Sequence, residues 1–232
     1  MNALARAMRG SATARQALLG VKGDALAAAT AANASVRTGL CRPAIDRYTG
    51  VLYDALDAAS LGKRDRRRLD ERVRIFSGCF GLVAPADPIP DYKLKMGASL
   101  PRLAKLSTAW RPLIDAELNR CAEGRTVWDL LPNEHAAAWT GAVPGGMRIR
   151  VRFLDDVERR AQRSLVTVSH WNKLLKGALV RHLLATGLNE PAGLEAFDHP
   201  EGYRYRPDLD QRSVGAGATP IVTVHLVADR ST

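Results

Sequence analysis

The chain has 232 residues, and its 34 lysines and arginines against 24 aspartates and glutamates give a formal net charge of +10. Hydrophobic residues make up 46% and charged residues 25%, proportions that exclude a wholly disordered chain. No stretch approaches about 18 uninterrupted apolar residues, so no transmembrane helix and no membrane partner are expected. The basic surplus favours a polyanionic partner such as nucleic acid.

The residues that most often bind metals show no ligand spacing. Cys41, Cys79 and Cys121 lie about 40 positions apart without a CxxC pair, which argues against a zinc cage or a disulfide framework and indicates a reducing compartment. The five histidines do not pair at metal-ligand spacing on one element. Phosphate-loop, dinucleotide, metalloprotease, serine-hydrolase and EF-hand motifs are absent. We therefore expect no metal and no cofactor.

The first 40 residues differ in character from the rest, being rich in alanine and basic up to the first acid, Asp24. Such a composition resembles a transit peptide, but a surface helix that covers the core is the preferred interpretation.

In the first half of the chain, apolar spacing predicts a helix over residues 43–59, opened by Pro43 and weakened by Gly50. Residues 63–74 hold seven basic and three acidic side chains, the pattern of a helix face with ion pairs. A short buried strand is predicted over 73–77, and the three prolines within 85–92 predict a loop. A second amphipathic helix is predicted over 107–121.

In the second half, residues 127–131 predict a strand and Pro132 opens a short helix. Apolar residues alternate with arginines over 147–153, which indicates a strand. A further strand is predicted over 165–169, and residues 170–186 form the clearest amphipathic helix, ended by Gly187. Strands over 203–206 and 221–227, with a glycine-rich turn at 215–217 between them, complete a mixed α+β or α/β fold with a mixed sheet and flanking helices in one compact domain.

Three local patterns suit an anion. Gly78 and Gly81 follow the strand predicted over 73–77 and would expose backbone N–H groups, and Lys93 and Lys95 come later in the chain. A tight turn beside a solvated loop explains this pattern equally well. Ser169 and Lys173 stand where a strand runs into a helix, although capping alone would account for the serine. The arginines at 148, 150 and 152 share one strand face, which suits several phosphates or protects a sheet edge.

Six blocks of this sequence, taken in order, resemble the peroxide-stress YaaA family. Their order and spacing hold from about residue 37 to about residue 227, and the blocks are RYTGVLY at 47–53, SGCFGL at 77–82, PDYKLKMG at 90–97, NE at 133–134, VSHWNK at 168–173 with KG at 176–177, and the segment 197–203. The resemblance implies a cytoplasmic mixed α/β protein with a helix-hairpin-helix-like element that binds DNA and limits oxidative damage by restraining intracellular iron. A helix-hairpin-helix holds phosphates without reading bases, so binding to double-stranded DNA would tolerate any sequence.

Residues 1–36 depart from the family pattern, which usually opens with a short apolar strand and a Ser/Pro-rich turn containing lysine. Either the first strand has been lost or the first element is missing from this sequence. We therefore divide the chain into a divergent basic segment over 1–36 and a YaaA-like α/β domain over 37–232.

Three functions follow as competing hypotheses, of which the third is a scaffold or iron-handling accessory without chemistry of its own. The leading hypothesis is a DNA-binding peroxide-stress protein, whose phosphate contacts are expected at Lys93, Lys95, Arg148, Arg150, Arg152, Lys173 and Lys176. The alternative is an enzyme acting on a small anionic or nucleotide-like substrate. Its candidate catalytic residues are Tyr48, Glu134, Ser169 and Lys173, with Glu134 as general acid/base and Lys173 as anion clamp, and its pocket candidates are Thr49, Ser77, Tyr92 and Asn172.

Overall fold

The computed structural model describes residues 2–159, 162–168 and 172–230. The helices are α1 (Asn2–Ala7), α2 (Ala12–Leu19), α3 (Gly23–Ala34), α4 (Ala44–Arg47), α5 (Val51–Leu56), α6 (Lys63–Arg72), α7 (Leu106–Cys121), α8 (Asn133–Ala136) and α9 (Asn172–Thr186). The strands are β1 (Arg42–Pro43), β2 (Ile75–Ser77), β3 (Gly81–Val83), β4 (Pro88–Ile89), β5 (Thr126–Asp129), β6 (Met147–Arg159), β7 (Gln162–Thr167), β8 (Arg204–Tyr205), β9 (Gln211–Val214) and β10 (Pro220–Asp229). Single 3₁₀ turns lie at Ala58–Ser60, Pro191–Ala196, Pro207–Leu209 and Ala216–Ala218. The predicted mixed α/β class with a mixed sheet is confirmed.

The chain divides into two compact units. The first comprises Met1–Tyr48, Leu69–Glu117 and Leu131–Thr140, and the second comprises Thr49–Arg68, Leu118–Leu130 and Gly141–Thr232. Residues 1–36 belong to the first unit, together with segments from the middle of the chain. The division into a segment over 1–36 and a domain over 37–232 stays a prediction.

The first unit is mainly helix and loop, with two short antiparallel strand pairs. Strands β2 and β3 form a hairpin whose turn is capped by Trp110: its indole N–H donates to the Gly78 carbonyl at 3.0 Å. Gly81 has a φ of 77°, and a side chain there would collide with the Trp110 ring. Strand β4 lies within the predicted proline-rich loop and pairs with β1. The expected N-terminal surface helix is three helices, and Leu4 of α1 is fully buried.

The second unit is built on a six-stranded mixed sheet. Strands β5, β6 and β10 run parallel, while β7 pairs antiparallel with β6, and β8 and β9 pair antiparallel with β10. The predicted alternation over 147–153 places Ile149 and Phe153 on the core face. They pack with alternate residues of β10 and with Leu175 and Leu179 of α9, all of which are buried. Apolar residues at period two in the strands and at helical spacing in α9 therefore define this core.

The predicted helix over 43–59 is wrong. The structure has two short helices, α4 and α5, separated by an extended Tyr48 and by Gly50. Gly50 has a φ of 106°, which a residue with a side chain rarely adopts, so the helix cannot run through it. The segment is therefore broken at the point where the glycine had only suggested a weakened helix.

Most other predicted helices and strands agree with the structure to within a few residues, but β6 continues six residues beyond the predicted 147–153. Strands β1, β3, β4 and β9 were not predicted. The described part of the predicted helix over 170–186 is α9, whereas Ser169 lies outside the described residues. Within the described part of the chain, no helix is long and apolar enough to cross a membrane.

Candidate functional site

In the first unit, the segment that carries Lys93 and Lys95 is fixed by the side chain of Asn33 from α3. The Asn33 amide donates to the Lys93 carbonyl at 2.9 Å, and its oxygen accepts from the Lys93 N–H at 2.9 Å. Asn33 is fully buried, so these two bonds replace a strand partner. Leu94 and Met96 point into the core while Lys93 and Lys95 are exposed. Both predicted anion contacts thus stand on a rigid, extended backbone.

The carboxylate of Glu134 holds the far end of the same segment. Its Oε1 accepts a hydrogen bond from the Gly97 N–H at 2.7 Å, and a side chain at position 97 would collide with the glutamate. Glu134 is exposed and lies in the first turn of α8. This geometry gives the predicted general acid/base a definite positioning contact with the segment that carries the lysines.

Three hydroxyl groups from separate blocks of the sequence meet in the first unit. The Tyr92 hydroxyl lies 2.8 Å from the Tyr48 hydroxyl and 2.7 Å from Ser77 Oγ. Ser77 Oγ also accepts from the backbone N–H of Cys79 and of Phe80. Burial raises the pKa of both tyrosines, which therefore remain protonated at neutral pH. The cluster can orient a ligand or relay a proton, and it brings together Tyr48, Ser77 and Tyr92 as the alternative hypothesis expects.

An open cavity of about 220 Å³ lies beside the β2–β3 turn, which directly follows Ser77 in the sequence. Apolar side chains such as Leu94, Leu100, Leu106 and Trp110 line it, together with Gly78 and Cys79. Burial raises the pKa of the Cys79 thiol to about 11, so this cysteine is not a thiolate at neutral pH. None of the described side chains that line the cavity is a cation.

In the second unit, the three arginines of β6 do not share one environment. The Arg148 side chain is only 6% exposed, and its Nε and Nη2 donate to Asp129 Oδ2 at 3.0 and 2.5 Å. Arg148 also packs against Gly141, where any side chain would meet its guanidinium. Arg150 and Arg152 are exposed. The expectation of three exposed guanidiniums is wrong at Arg148, because Asp129 on the neighbouring strand neutralises it inside the unit.

The predicted residues of α9 differ in the same way. Lys173 is exposed, whereas Lys176 donates to the Leu130 carbonyl at 2.9 Å and burial lowers the pKa of its ammonium. Asn172 is half-buried and donates to the Val168 carbonyl at 3.3 Å. Thr49 is exposed, next to the break before α5. Lys173 is thus the open cation of this group.

Helix α6 is strongly basic and provides further exposed cations. It holds six basic and three acidic residues, and Lys63, Arg64 and Arg67 are exposed near its start. Asp65 pairs with Arg64 at 3.0 Å and with Arg68 at 3.8 Å, confirming that acids on this helix pair with its arginines. Among the described residues, no group of three or more His, Cys, Asp or Glu side chains could hold a metal ion.

Comparison with known proteins decides the family. A family model described as peroxide stress protein YaaA matches residues 1–209. The chain belongs to the peroxide stress protein YaaA family. It is similar to a UPF0246 protein of Streptomyces coelicolor, 41% identical over 165 residues that cover 71% of this chain and 61% of the relative. A UPF0246 protein of Roseobacter denitrificans is 33% identical over 174 residues, covering 72% of this chain and 66% of the relative.

A third UPF0246 protein, from a Marinomonas species, is 32% identical over 169 residues, covering 72% of this chain and 63% of the relative. This YaaA family chain therefore spans about two thirds or less of the length of these relatives. The resemblance expected from the ordered sequence blocks is confirmed.

The YaaA family blocks supply residues to both units. Tyr48, Ser77, Tyr92, Lys93 and Glu134 fall in the first unit, and their contacts there are described above. Lys173, Lys176 and Asn172 fall in the second unit, so a shared site for Glu134 and Lys173 stays a prediction. Ser169 lies outside the described residues, and its catalytic role likewise stays a prediction.

Two residues that organise these sites were missed in the sequence. Asp129 could have been found, because it is an acid within the predicted strand over 127–131, which the chain follows with an arginine-bearing strand. Asn33 could not, because a single asparagine in an alanine-rich stretch has no spacing that points to Lys93, 60 positions away.

Proposed function

We propose that this chain binds double-stranded DNA through the phosphate backbone and acts in the peroxide stress response, as a cytoplasmic protein. The helix pair α5–α6 supports this proposal best. A six-residue connection containing the 3₁₀ turn Ala58–Ser60 and then Gly62 joins the two helices. We take this pair as the helix-hairpin-helix-like element that the family resemblance implies.

The contacts of α6 suit such a role. Arg64 and Arg68 donate to backbone carbonyls at the end of α9, with distances of 3.0 Å to Ala185 and 2.7 Å to Leu184. Gly177 of α9 lies so close to α5 that an added side chain would strike the Leu52 carbonyl. Both helices of the pair therefore pack against the same partner, α9. A helix pair that is already fixed can hold a phosphate without the entropic cost of ordering the pair on binding.

The connection leaves room for a phosphate. A side chain at Gly62 would meet nothing within 4 Å, so the backbone there is open to an approaching group. The start of α6 adds free backbone N–H groups and a positive dipole end, and Lys63 and Arg67 are exposed beside them. These groups recognise phosphate charge and not base edges, so the binding tolerates any sequence.

Lys93, Lys95 and Lys173 are the further contacts of this proposal, since each is exposed. DNA held in this way would be covered against oxidants produced by iron and peroxide, and the family resemblance adds that intracellular iron is itself restrained. Whole-protein activity and partners remain part of this proposal.

Electrophoretic mobility shift of a 20-base-pair duplex at increasing salt tests the proposal. For about five neutralised phosphates, log K should fall with log salt at a slope of about −4 to −5. The double variant Lys63→Glu/Arg67→Glu should weaken binding about tenfold or more on every sequence. Arg212→Glu, an exposed arginine on β9, carries the same type of charge change and should leave most of the affinity. Absence of a shift at low salt, or equal loss in the control, overturns the proposal.

A second candidate function is catalysis on a small anionic substrate in the first unit. The meeting of the Tyr48, Tyr92 and Ser77 hydroxyls, with Lys93 held rigidly next to Tyr92 in the chain, favours it. A thermal-shift titration with nucleoside monophosphates tests it. We expect stabilisation of the wild type that is lost in Tyr92→Phe and kept in Lys105→Gln, a lysine outside this cluster; no shift at millimolar ligand rejects it.

A further inference from the structure

The sheet of the second unit has a polar stretch on the face opposite its apolar core. Along β6, Arg148, Arg150 and Arg152 point away from the side that carries Ile149 and Phe153. The parallel register with β10 sets Thr223 beside Arg150 and His225 beside Arg152. Directly paired residues of neighbouring strands share a face, so these four side chains form one patch, which we call the Arg150 patch.

The Arg150 patch has more positive charge than its acids can neutralise. Asp129 is the paired acid on β5, its side chain is 7% exposed, and Arg148 takes its Oδ2 at 2.5 and 3.0 Å. Arg150 reaches the same oxygen only at 3.9 Å, with half of its own side chain exposed. Asp129 thus serves both Arg148 and Arg150, and the exposed Arg152 adds a further positive charge on the same face.

Two of the neighbouring acids pair with other arginines, whereas Asp210 keeps its negative charge near His225. Asp156 pairs with Arg163 at 3.1 Å, and Asp155 accepts from the Tyr203 hydroxyl at 2.6 Å and lies 3.5 Å from Arg230. Asp210, near His225, accepts from the Tyr205 hydroxyl at 2.5 Å. None of these contacts neutralises Arg152, which is exposed.

A buried donor or acceptor without a partner marks the same place. His225 is 5% exposed, and its Nδ1 has no hydrogen-bond partner within the part of the chain that the structure describes. The groups that face the imidazole are Arg152, Asp210 and the backbone of Leu209. An unsatisfied buried polar atom destabilises the fold, so a polar group of a ligand would be stabilised there.

We propose that the Arg150 patch binds the phosphate group of a small phosphorylated molecule. Arg150 and Arg152 are two residues apart on a strand, about 7 Å along it, so their planar guanidiniums can grip one tetrahedral group from two sides. The positive charges of Arg150 and Arg152 attract a phosphate dianion. The Thr223 hydroxyl donates to a third oxygen, and His225 Nδ1 takes a hydroxyl or a bridging water of the bound molecule.

This site goes beyond the proposed DNA function. The α5–α6 pair recognises a repeated line of singly charged phosphodiesters, whereas the Arg150 patch is a single short cluster matched to a dianion. The two proposals therefore fail independently: duplex binding can be lost with this site intact, and the reverse.

Isothermal titration of the full chain with inorganic phosphate at pH 7.5 tests the inference. The wild type should bind one phosphate per chain. The double variant Arg150→Lys/Arg152→Lys keeps the charge but loses the two-pronged geometry, and it should bind phosphate about tenfold more weakly. Thr223→Val, which keeps shape, should weaken binding about threefold. Arg212→Lys on β9, aligned with Val222 of the core face, is the matched control and should bind as the wild type does.

A mobility shift with duplex DNA on the same proteins identifies the source of the phosphate. Unchanged duplex affinity in Arg150→Lys/Arg152→Lys supports a separate small-molecule site. Four results overturn the inference: no phosphate binding at millimolar concentration, several sites per chain, equal weakening in Arg212→Lys, or loss of duplex binding without any phosphate binding. Circular dichroism of each variant shows that it is folded, and the charge-conserving changes at exposed positions keep that measurement favourable.

Discussion

The two units of this chain reach order by different means. The second unit is held by a backbone ladder across six strands and by one apolar core between the sheet and α9. The first unit has only short strand pairs, and single side chains complete its backbone hydrogen bonds: Asn33 serves Lys93 and Glu134 serves Gly97. A strand ladder imposes a repeating pattern that can be recognised in the sequence, whereas contacts made by single side chains depend on individual residues.

Charge shows the same contrast. The first unit holds 14 basic and 9 acidic residues and the second holds 20 and 15, so each carries a formal surplus of five. In the first unit Lys93 and Lys95 alternate with buried apolar residues and stay exposed. In the second unit Arg148 is drawn into a buried ion pair two residues from exposed Arg150. Net charge therefore does not locate a site; the local partners do.

The largest expected effect is the loss of the buried ion pair in the second unit. Asp129→Asn keeps the shape but removes the negative charge that neutralises the buried Arg148 guanidinium, and should lower the free energy of unfolding by about 3–5 kcal/mol. Urea denaturation followed by circular dichroism measures it. Arg150→Gln, at the half-exposed partner of the same carboxylate, should cost no more than about 1 kcal/mol. Similar costs for the two variants would contradict the distinction between buried and exposed arginines.

The next effect tests the side-chain anchor of the first unit. Asn33→Leu leaves the Lys93 N–H and carbonyl without partners and should cost about 2–4 kcal/mol. Hydrogen exchange followed by mass spectrometry should speed up over residues 91–97 while β6 and β10 keep their protection. Asn33→Asp keeps the acceptor for the Lys93 N–H, and its stability and exchange rates should fall between those of the wild type and those of Asn33→Leu. Unchanged exchange over residues 91–97 would show that the first unit does not depend on this asparagine.

A smaller effect is expected at the hydroxyl cluster. Tyr92→Phe removes the hydroxyl that joins Tyr48 and Ser77 but keeps the ring, which packs edge-on against Phe80 at 5.3 Å. We expect a loss of about 1–2 kcal/mol, and a smaller loss for Tyr48→Phe, which breaks one of the two bonds. Thermal unfolding measures both losses. A larger loss for Tyr48→Phe would contradict the central position of the Tyr92 hydroxyl in the cluster.

The smallest effect is a pH dependence that should be stronger in the second unit. Burial lowers the pKa of His182, His199 and His225 there, and of His135 in the first unit. A folded pKa below the unfolded value of about 6.5 means that the unfolded chain binds more protons, so stability falls as pH drops through 6.5. Urea denaturation between pH 7.5 and 5 should show this fall. It should be reduced in His182→Gln/His199→Gln; an unchanged slope would mean that these histidines titrate normally.

The sequence predicted best where a structural period covers many residues. Alternation over 147–153 and helical spacing over 107–121 located β6 and α7, because burial of one face imposes those periods. It failed over 43–59, where apolar spacing continued across Gly50 although the backbone there has a φ of 106°. A glycine inside a periodic run does not reveal the sign of its φ.

The candidate sites were predicted in part. Tyr48, Ser77 and Tyr92 were chosen from separate blocks and do meet, while Arg148, expected with Arg150 and Arg152 on an exposed face, is buried. Alternation assigns a residue to a face of the sheet, but it does not say which part of that face other segments cover. Gly141 and Asp129 cover the Arg148 end only.

By itself, the amino-acid sequence determined the mixed α/β class, the main strands and helices, the basic surplus and the membership in a family, because these follow from composition, period and ordered motifs. Tertiary structure alone decided which cations remain open and which loop is rigid. Asn33 and Lys93 are 60 positions apart, and Asp129 and Arg148 are 19 apart on neighbouring strands. Such pairs are set by packing in three dimensions, where a single contact satisfies or neutralises a buried group, and no local pattern encodes it.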